Sequence, residues 1–473
     1  MTACQLVPED GTLQLRSKGR LHTVAARWRR AAWFSGVAAA VLGCLWLTPG
    51  HTDSPPSPAA SLFGWAKDTA EEMPMGRPPW KAAAVGSGAW GNTVAMLVAE
   101  NVAENKNWVS DVKMQIFDEL ILSHADMYGL QEAAMSSNAT ALARYALRAS
   151  VEGGLGRELS TIINEEHENV KYLPGVKLPT NLKAEPDMQA AIADADLIVV
   201  GVPDQFIVPT CRKMKPFVKP TARLVMLAKG IEFEKARLVP VTSVVATELN
   251  LPENQICCLM GANIAKDVAF HQFSESTLGC KDAMDLQWLK PIFARPYFPV
   301  ALVQNVEGPQ MCGALKNVVA IGKGLLDGSG AGSNTMSALM RMGMQEIKGF
   351  ILEFFDVPQY VFWESCCLAD LVTTCLNGRN QRVAAEYARR HGRSSFEALE
   401  RELLDGQRLQ GTVTALPLHE VLVKKGWLEK YPLFEGVYQV VAGKADAQSI
   451  FTVLQKIPQT DMAVGNASVG RKS

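Results

Sequence analysis

From residue 80 onward the chain alternates short apolar runs with longer stretches of helical periodicity. The run Lys81-Ala82-Ala83-Ala84-Val85 is followed at once by Gly86-Ser87-Gly88-Ala89-Trp90-Gly91 and then by a helical stretch over 92–105. Further apolar runs occupy 112–117, 196–202, 224–228 and 256–260. Leu197-Ile198-Val199-Val200 is continuous rather than alternating, as a parallel strand covered on both faces should be. From residue 305 strand signals nearly vanish, and helical ones fill 308–324, 337–355, 383–390, 395–404 and 418–425. The pattern predicts an α/β Rossmann-like dinucleotide-binding domain over 80–304, followed by an all-α substrate and catalytic domain over 305–458. Residues 121–158 break the grammar and read as a surface insertion containing a helix. Residues 459–473 are polar and small and read as a disordered tail.

The first 79 residues have a different character. Arg16, Lys18, Arg20, Arg27, Arg29 and Arg30 form a basic flank, an apolar run spans 31–48, and a Pro- and Ser-rich linker follows. The run is about the minimum length for a spanning helix. This N-terminal extension is expected to carry one transmembrane or targeting segment, which would tether the chain to a membrane or direct it to an organelle, with the catalytic part cytoplasmic.

The strand, glycine turn and helix come in the order that a dinucleotide fingerprint requires. Gly86 permits the tight turn, Gly88 lets the backbone approach a pyrophosphate, and Gly91 lets helix and strand pack closely. The helix N-terminus then offers free N–H groups to phosphate. The motif alone is weak: the alanine-rich strand has low β-propensity, and no acid stands clearly at a strand end about 20 residues on. The next run ends later, in Phe117-Asp118-Glu119. An acid there would hold ribose hydroxyls and repel a 2′-phosphate, which favours NAD over NADP. Three later runs end in Phe206, Lys229 and Asn263, beyond the carboxyl ends of strands, where ligands bind in open α/β sheets.

Composition adds exclusions. A net charge of −1 over 473 residues provides no field for nucleic acid. The ten cysteines include the adjacent pairs Cys257-Cys258 and Cys366-Cys367 but no metal-knuckle spacing, so no metal is expected. Their apolar surroundings predict reduced, buried thiols. His167 and His271 are read as structural, the former within the charged run Glu165-Glu166-His167-Glu168-Asn169.

Five ordered motifs are more specific. They are Asn169-Val170-Lys171-Tyr172-Leu173-Pro174-Gly175, Gly261-Ala262-Asn263-Ile264-Ala265, Cys312-Gly313-Ala314-Leu315-Lys316-Asn317-Val318-Val319-Ala320, Ala369-Asp370-Leu371-Val372-Thr373-Thr374-Cys375 and Gly378-Arg379-Asn380. Together they resemble the eukaryotic-type NAD-dependent glycerol-3-phosphate dehydrogenase family, over about 80–458 without the insertion. The resemblance implies a two-domain fold, a homodimer, NAD as cofactor and a phosphorylated triose as substrate. It implies reversible hydride transfer between NADH and C2 of dihydroxyacetone phosphate, giving sn-glycerol 3-phosphate. It further implies that Gly86, Ser87, Gly88, Ala89, Trp90, Gly91 and Phe117 hold the adenosine and pyrophosphate. Phe206 and Ala265 line the cofactor channel, and Arg379, Arg408 and Gln410 contact the cofactor. Lys229, Asn317, Arg379 and Asn380 bind substrate, and Lys316 is the catalytic lysine. Arg408 stands where lysine is common, Cys367 where glycine is common, and Asn377 where another small residue is common; none removes a group that the chemistry needs.

The residue types support those roles. A lysine on an apolar helix is partly desolvated, so its ammonium gives up a proton more readily. Asp370 and Thr374 share one helix face at i, i+4 spacing, where Asp370 can orient Lys316 and Thr374 can bond a substrate hydroxyl or the lysine. Lys229 adds positive charge at a developing alkoxide. Arg379 offers a planar fork to a phosphate dianion. Two alternatives stand beside this reading: another dehydrogenase with a helical partner domain, which leaves Gly378-Arg379-Asn380 unexplained, and a membrane-tethered NAD-binding protein without turnover, which would have lost Lys316, Asp370 or Lys229.

Overall fold

The computed structural model describes residues 78–121, 156–234, 237–404 and 406–455. The basic flank, the apolar run 31–48, most of the insertion and the 459–473 tail lie outside the described residues. Among the described residues no helix is long and apolar enough to cross a membrane.

Eight strands form one sheet: β1 (Ala82–Val85), β2 (Val112–Gln115), β3 (Leu182–Glu185), β4 (Leu197–Val200), β5 (Arg223–Met226), β6 (Ile256–Met260), β7 (Ser276–Gly279) and β8 (Val300–Val303). Their order across the sheet is β3-β2-β1-β4-β5-β6-β7-β8. The first six are parallel, β7 pairs antiparallel with β6, and β8 runs parallel to β7. The order reverses at β1, and the crevice beyond the carboxyl ends of β1 and β4 is where such sheets bind a dinucleotide. β1 forms despite its alanines because all four residues are buried, so small side chains suit the helices on both faces.

Three strands escape the sequence pattern. β3 is an edge strand whose Leu-Lys-Ala-Glu alternates buried and exposed positions. β7 is Ser-Thr-Leu-Gly, polar in composition yet fully buried, because its hydroxyls find partners such as the Met260 carbonyl, 3.0 Å from Ser276 Oγ. β8 is the apolar run Val-Ala-Leu-Val, with only its two end residues buried.

The cysteine expectation is corrected at one pair. All eight described cysteines are buried, and six of them are free thiols, but Cys257 and Cys280 are joined in a disulfide. They face one another across the antiparallel β6–β7 pair, with Cα atoms 4.5 Å apart. Neighbours of this kind are set by strand register, which the 23-residue separation in sequence does not reveal.

The second half is helical, and the sheet and the helices belong to one compact unit. Its axis is α2 (Glu307–Gly328), buried along nearly its whole length among α3 (Ser333–Leu352), α4 (Asp370–Asn377), α5 (Arg379–Arg389), α6 (Gln410–Lys425) and α7 (Pro432–Val441). α1 (Ala89–Glu104) stands on the sheet side. A Cβ at Gly328 would lie 2.0 Å from the Ala385 carbonyl oxygen, so only glycine lets α5 lie this close to α2. That contact brings Arg379 and Asn380 alongside Lys316 and Asn317. The π-helical turn Ser365–Ala369 leads into α4 and sets Asp370 at its start.

Candidate active site

The glycine turn closes the carboxyl end of β1. Gly86 has φ +101°, a backbone conformation that disfavours a Cβ. A Cβ at Gly91 would sit 2.4 Å from the Gly86 carbonyl oxygen, and one at Gly201 would sit 2.6 Å from Gly91 Cα, so helix α1 meets β1 and β4 backbone to backbone. A Cβ at Gly88 would meet nothing within 4 Å, which leaves the approach to the α1 N-terminus open. Ser87 is buried, while Ala89 and Trp90 open the first turn of α1. Phe117, just past β2, is 79% exposed, and Phe206, after β4, is 53% exposed. Ala265 begins a short helix after β6, and its carbonyl accepts from Thr93 Oγ1 of α1 at 3.2 Å. A turn with room at Gly88, free helix N–H groups and two bare aromatic faces fits a dinucleotide of one pyrophosphate between two planar bases.

The acids after β2 are bonded to residues from beyond the insertion. Asp118 accepts from Ser160 N at 3.0 Å and Ser160 Oγ at 2.7 Å, and Glu119 is bonded to Lys171 and to Tyr172 Oη. Each carboxylate therefore already holds two partners within the protein. Asn263 also turns inward, its Nδ2 donating to the Glu275 carbonyl at 2.8 Å. His167 and His271 adopt left-handed backbone conformations, and His271 stacks on Tyr297 at 4.3 Å. Asn169, in contrast to its charged neighbours, is fully buried.

Lys316, Lys229 and Asp370 converge from three elements. Lys316 extends from the middle of α2 and is 6% exposed. Its Nζ donates to Asp370 Oδ1 and, at 2.5 Å, to Thr374 Oγ1. Asp370 Oδ2 accepts from Lys229 Nζ at 2.7 Å, and that ammonium also donates to the Gly261 carbonyl at 3.0 Å. One carboxylate therefore serves two ammonium groups. Burial lowers the Lys316 pKa to about 8; Asp370 opposes that fall and Lys229 adds to it. A lysine at that value exchanges protons near neutrality, which is what proton transfer to a reacting oxygen requires.

The lysines open onto a cavity of about 330 Å³. Its wall also carries Asn317, Thr374, Arg379, Asn380, Arg408 and Gln410, and among the described residues no carboxylate lines it. Four cationic side chains on one wall suit a dianion. Arg379 is the first residue of α5, so the unpaired N–H groups of that helix face the same space. The helix predicted from 383 begins four residues earlier, directly after Gly378. Arg379 Nη1 is steered by Gln407 Oε1 at 2.5 Å. Asn380 Nδ2 donates to Asn317 Oδ1 at 2.9 Å, and Asn380 Oδ1 accepts from Gly411 N, so the two amides are held in place by each other and by α6. Arg408 and Gln410 stand between this cavity and a neighbouring one of about 760 Å³, and Gln410 Nε2 donates to Asp204 at 2.8 Å.

Residues 81–285 match the model of the NAD-dependent glycerol-3-phosphate dehydrogenase N-terminus, and residues 305–452 match the model of its C-terminus. The chain belongs to the NAD-dependent glycerol-3-phosphate dehydrogenase family. This dehydrogenase is 39% identical over 381 residues to the cytoplasmic glycerol-3-phosphate dehydrogenase (NAD+) of Homo sapiens, covering 80% of its own chain and 98% of the relative. It is 38% identical over 373 residues to the chloroplastic glycerol-3-phosphate dehydrogenase (NAD+) 1 of Arabidopsis thaliana, covering 78% of its own chain and 84% of that relative. The solved glycerol-3-phosphate dehydrogenase from Saccharomyces cerevisiae superposes with a TM-score of 0.68 at 35% identity, over 80% of this chain and 99% of that one. Membership makes the chain an NAD-dependent oxidoreductase, and the preference for NAD rests on the family rather than on an acid after β2. The matched spans include every residue placed around the two cavities and exclude the N-terminal extension.

Proposed function

We propose that the enzyme interconverts dihydroxyacetone phosphate and sn-glycerol 3-phosphate, with Lys316 as the proton donor to the C2 oxygen in reduction and the acceptor in oxidation. The observation that carries this reading is the buried Lys316 ammonium, bonded to both Asp370 and Thr374 and titrating at about 8. Bound NAD(H) supplies or takes the hydride at C2. The turn Gly86 to Gly91 holds its pyrophosphate, Phe117 and Phe206 cover its planar ends, and Ala265, Arg408 and Gln410 line the remainder of its path. Arg379, Asn380, Asn317 and the N-terminus of α5 bind the substrate phosphate. Lys229 stabilises negative charge on the C2 oxygen, and Asp370 keeps both ammoniums aimed at it. Binding energy from the phosphate, away from the reacting carbon, aligns C2 for reaction. In this reading residues 80–304 bind the cofactor and 305–458 bind and turn over the substrate.

The test is an NADH-oxidation assay with dihydroxyacetone phosphate on wild type and Lys316→Ala, with NADPH as cofactor control. A loss on the order of 10²-fold or more in kcat, with NADH binding retained, supports the assignment. A folded wild type that binds NADH without turnover refutes it. We propose further that the enzyme works as a homodimer, which sedimentation will read, and that residues 1–79 direct or tether the chain, which a reporter fused to them will read.

A further inference from the structure

Asn169 lies far in sequence from the glycine turn yet is bound to it. It is fully buried, its Nδ2 donates to the Ser87 carbonyl at 3.1 Å, and its Oδ1 accepts from Tyr172 N at 3.0 Å. A trans peptide unit is planar, with its carbonyl and its N–H pointing in opposite directions. Holding the Ser87 carbonyl against a buried side chain therefore turns the Gly88 N–H the other way, outward. The space beside the Gly88 Cα is open, since a Cβ there would meet nothing within 4 Å. It lies at the N-terminus of α1, where a pyrophosphate binds on this reading. The Ser87–Gly88 unit turns about ψ of Ser87 and φ of Gly88, and Gly88 has no side chain to restrict its half of that rotation.

The same short loop also reaches the adenosine side. Tyr172 Oη donates to Glu119 at 2.6 Å, and Lys171 bonds the same carboxylate. Glu119 is two residues beyond the exposed Phe117. Ser87, Asn169, Tyr172 and Glu119 thus form one hydrogen-bonded tie from the pyrophosphate turn to the end of β2.

We infer that Asn169 is a positioning residue for the dinucleotide: it fixes the Ser87–Gly88 peptide plane so that the Gly88 N–H faces the pyrophosphate, and through Tyr172 it sets that turn relative to Phe117. It touches neither cofactor nor substrate itself. The inference rests on the glycine turn being the pyrophosphate site.

Two variants separate this role from simple packing. Asn169→Asp keeps shape and the acceptor for Tyr172 N, but sets a carboxylate oxygen against the Ser87 carbonyl. Asn169→Ala removes both bonds and leaves a void. NADH binding is read by nicotinamide fluorescence on the purified protein, the apo protein's Tm by thermal melting, and KM and kcat by NADH oxidation at saturating dihydroxyacetone phosphate. Asn169→Asp is expected to raise the NADH Kd and KM about tenfold, near 1.4 kcal/mol. Its kcat at saturating NADH stays within about twofold, because no group at C2 moves. Asn169→Ala raises the Kd less and lowers Tm more. Failure of Asn169→Ala to fold leaves the Asn169→Asp comparison standing. A purely structural role predicts the reverse order: Asn169→Asp with near-normal NADH affinity, and Asn169→Ala losing kcat and affinity together. That order would overturn the inference. If wild type also fails to bind NADH, the pyrophosphate assignment fails instead, which is a distinct result.

Discussion

Asp370→Asn probes the proton-transfer pair most directly. The substitution is nearly isosteric, so it leaves acceptors for one lysine while removing the charge that two share. Lys316 is buried and titrates at about 8 only because Asp370 offsets part of the desolvation penalty. An opposite charge in contact changes proton affinity by about tenfold to a thousandfold. With the carboxylate gone, that much affinity is lost, and the repulsion from Lys229 is no longer screened. At pH 8, about half of Lys316 is protonated in wild type and between roughly 10% and 0.1% in the variant. Protonation alone therefore lowers dihydroxyacetone phosphate reduction by about fivefold to five-hundredfold at pH 8. Oxidation of sn-glycerol 3-phosphate needs the neutral amine, whose fraction rises at most about twofold, so loss of alignment dominates there. The assay is kcat/KM in both directions from pH 6 to 9. In wild type, reduction falls and oxidation rises as pH passes through about 8. In Asp370→Asn both limbs move to lower pH, and reduction recovers on acidification. An unmoved midpoint in a folded but slow variant would refute the idea that Asp370 acts through the Lys316 proton.

Four further outcomes follow from the same geometry. Lys316→Met abolishes turnover but keeps or raises Tm at pH 7: burial depresses the folded-state pKa to about 8, so the charged lysine costs stability below that pH and the cost fades as pH rises toward its unfolded value; a Tm drop of many degrees would contradict this. Arg379→Ala lowers kcat/KM for dihydroxyacetone phosphate by about 10²-fold or more, with a much smaller effect on phosphate-free dihydroxyacetone; equal losses on both substrates would remove Arg379 from the phosphate site. Phe117→Ala raises the KM for NADH several-fold, on the order of 1 kcal/mol for a lost aromatic contact, and leaves the KM for the triose unchanged. Asp285→Ala strands the buried Arg223, which it now binds at 2.8 Å, and costs about 3–5 kcal/mol of stability without altering either KM in the folded fraction.

The cofactor half was legible in the order of its parts: an apolar run, Gly86 to Gly91, then a helix, with Leu197 to Val200 and Ile256 to Met260 marking buried parallel strands. Lys316, Asp370 and Thr374 were legible as types, one lysine on an apolar helix and an acid and a hydroxyl one turn apart. Local pattern suffices for such features, because burial on both faces and helical spacing leave a period in the chain. It fails where identity depends on what lies opposite. The polar β7 reads as loop because its hydroxyls are paid for by partners on β6 and beyond. Cys257 and Cys280 read as free thiols because strand register is decided by pairing. That Asp118 and Glu119 also bond Ser160, Lys171 and Tyr172 shows only in the fold, because those partners come from the far side of an insertion. Asn169 reads as the end of the charged run Glu165 to Asn169, and only the fold shows it buried against the Ser87 carbonyl.

The sequence by itself therefore determined the fold class, the dinucleotide turn and the set of groups available for chemistry, since these rest on backbone freedom, periodicity and side-chain type. Only the tertiary structure decided which charges share a partner. Lys229 and Lys316 meet at one carboxylate 54 residues from Lys316 and 141 from Lys229, and burial there, not the lysine itself, brings its titration near neutrality.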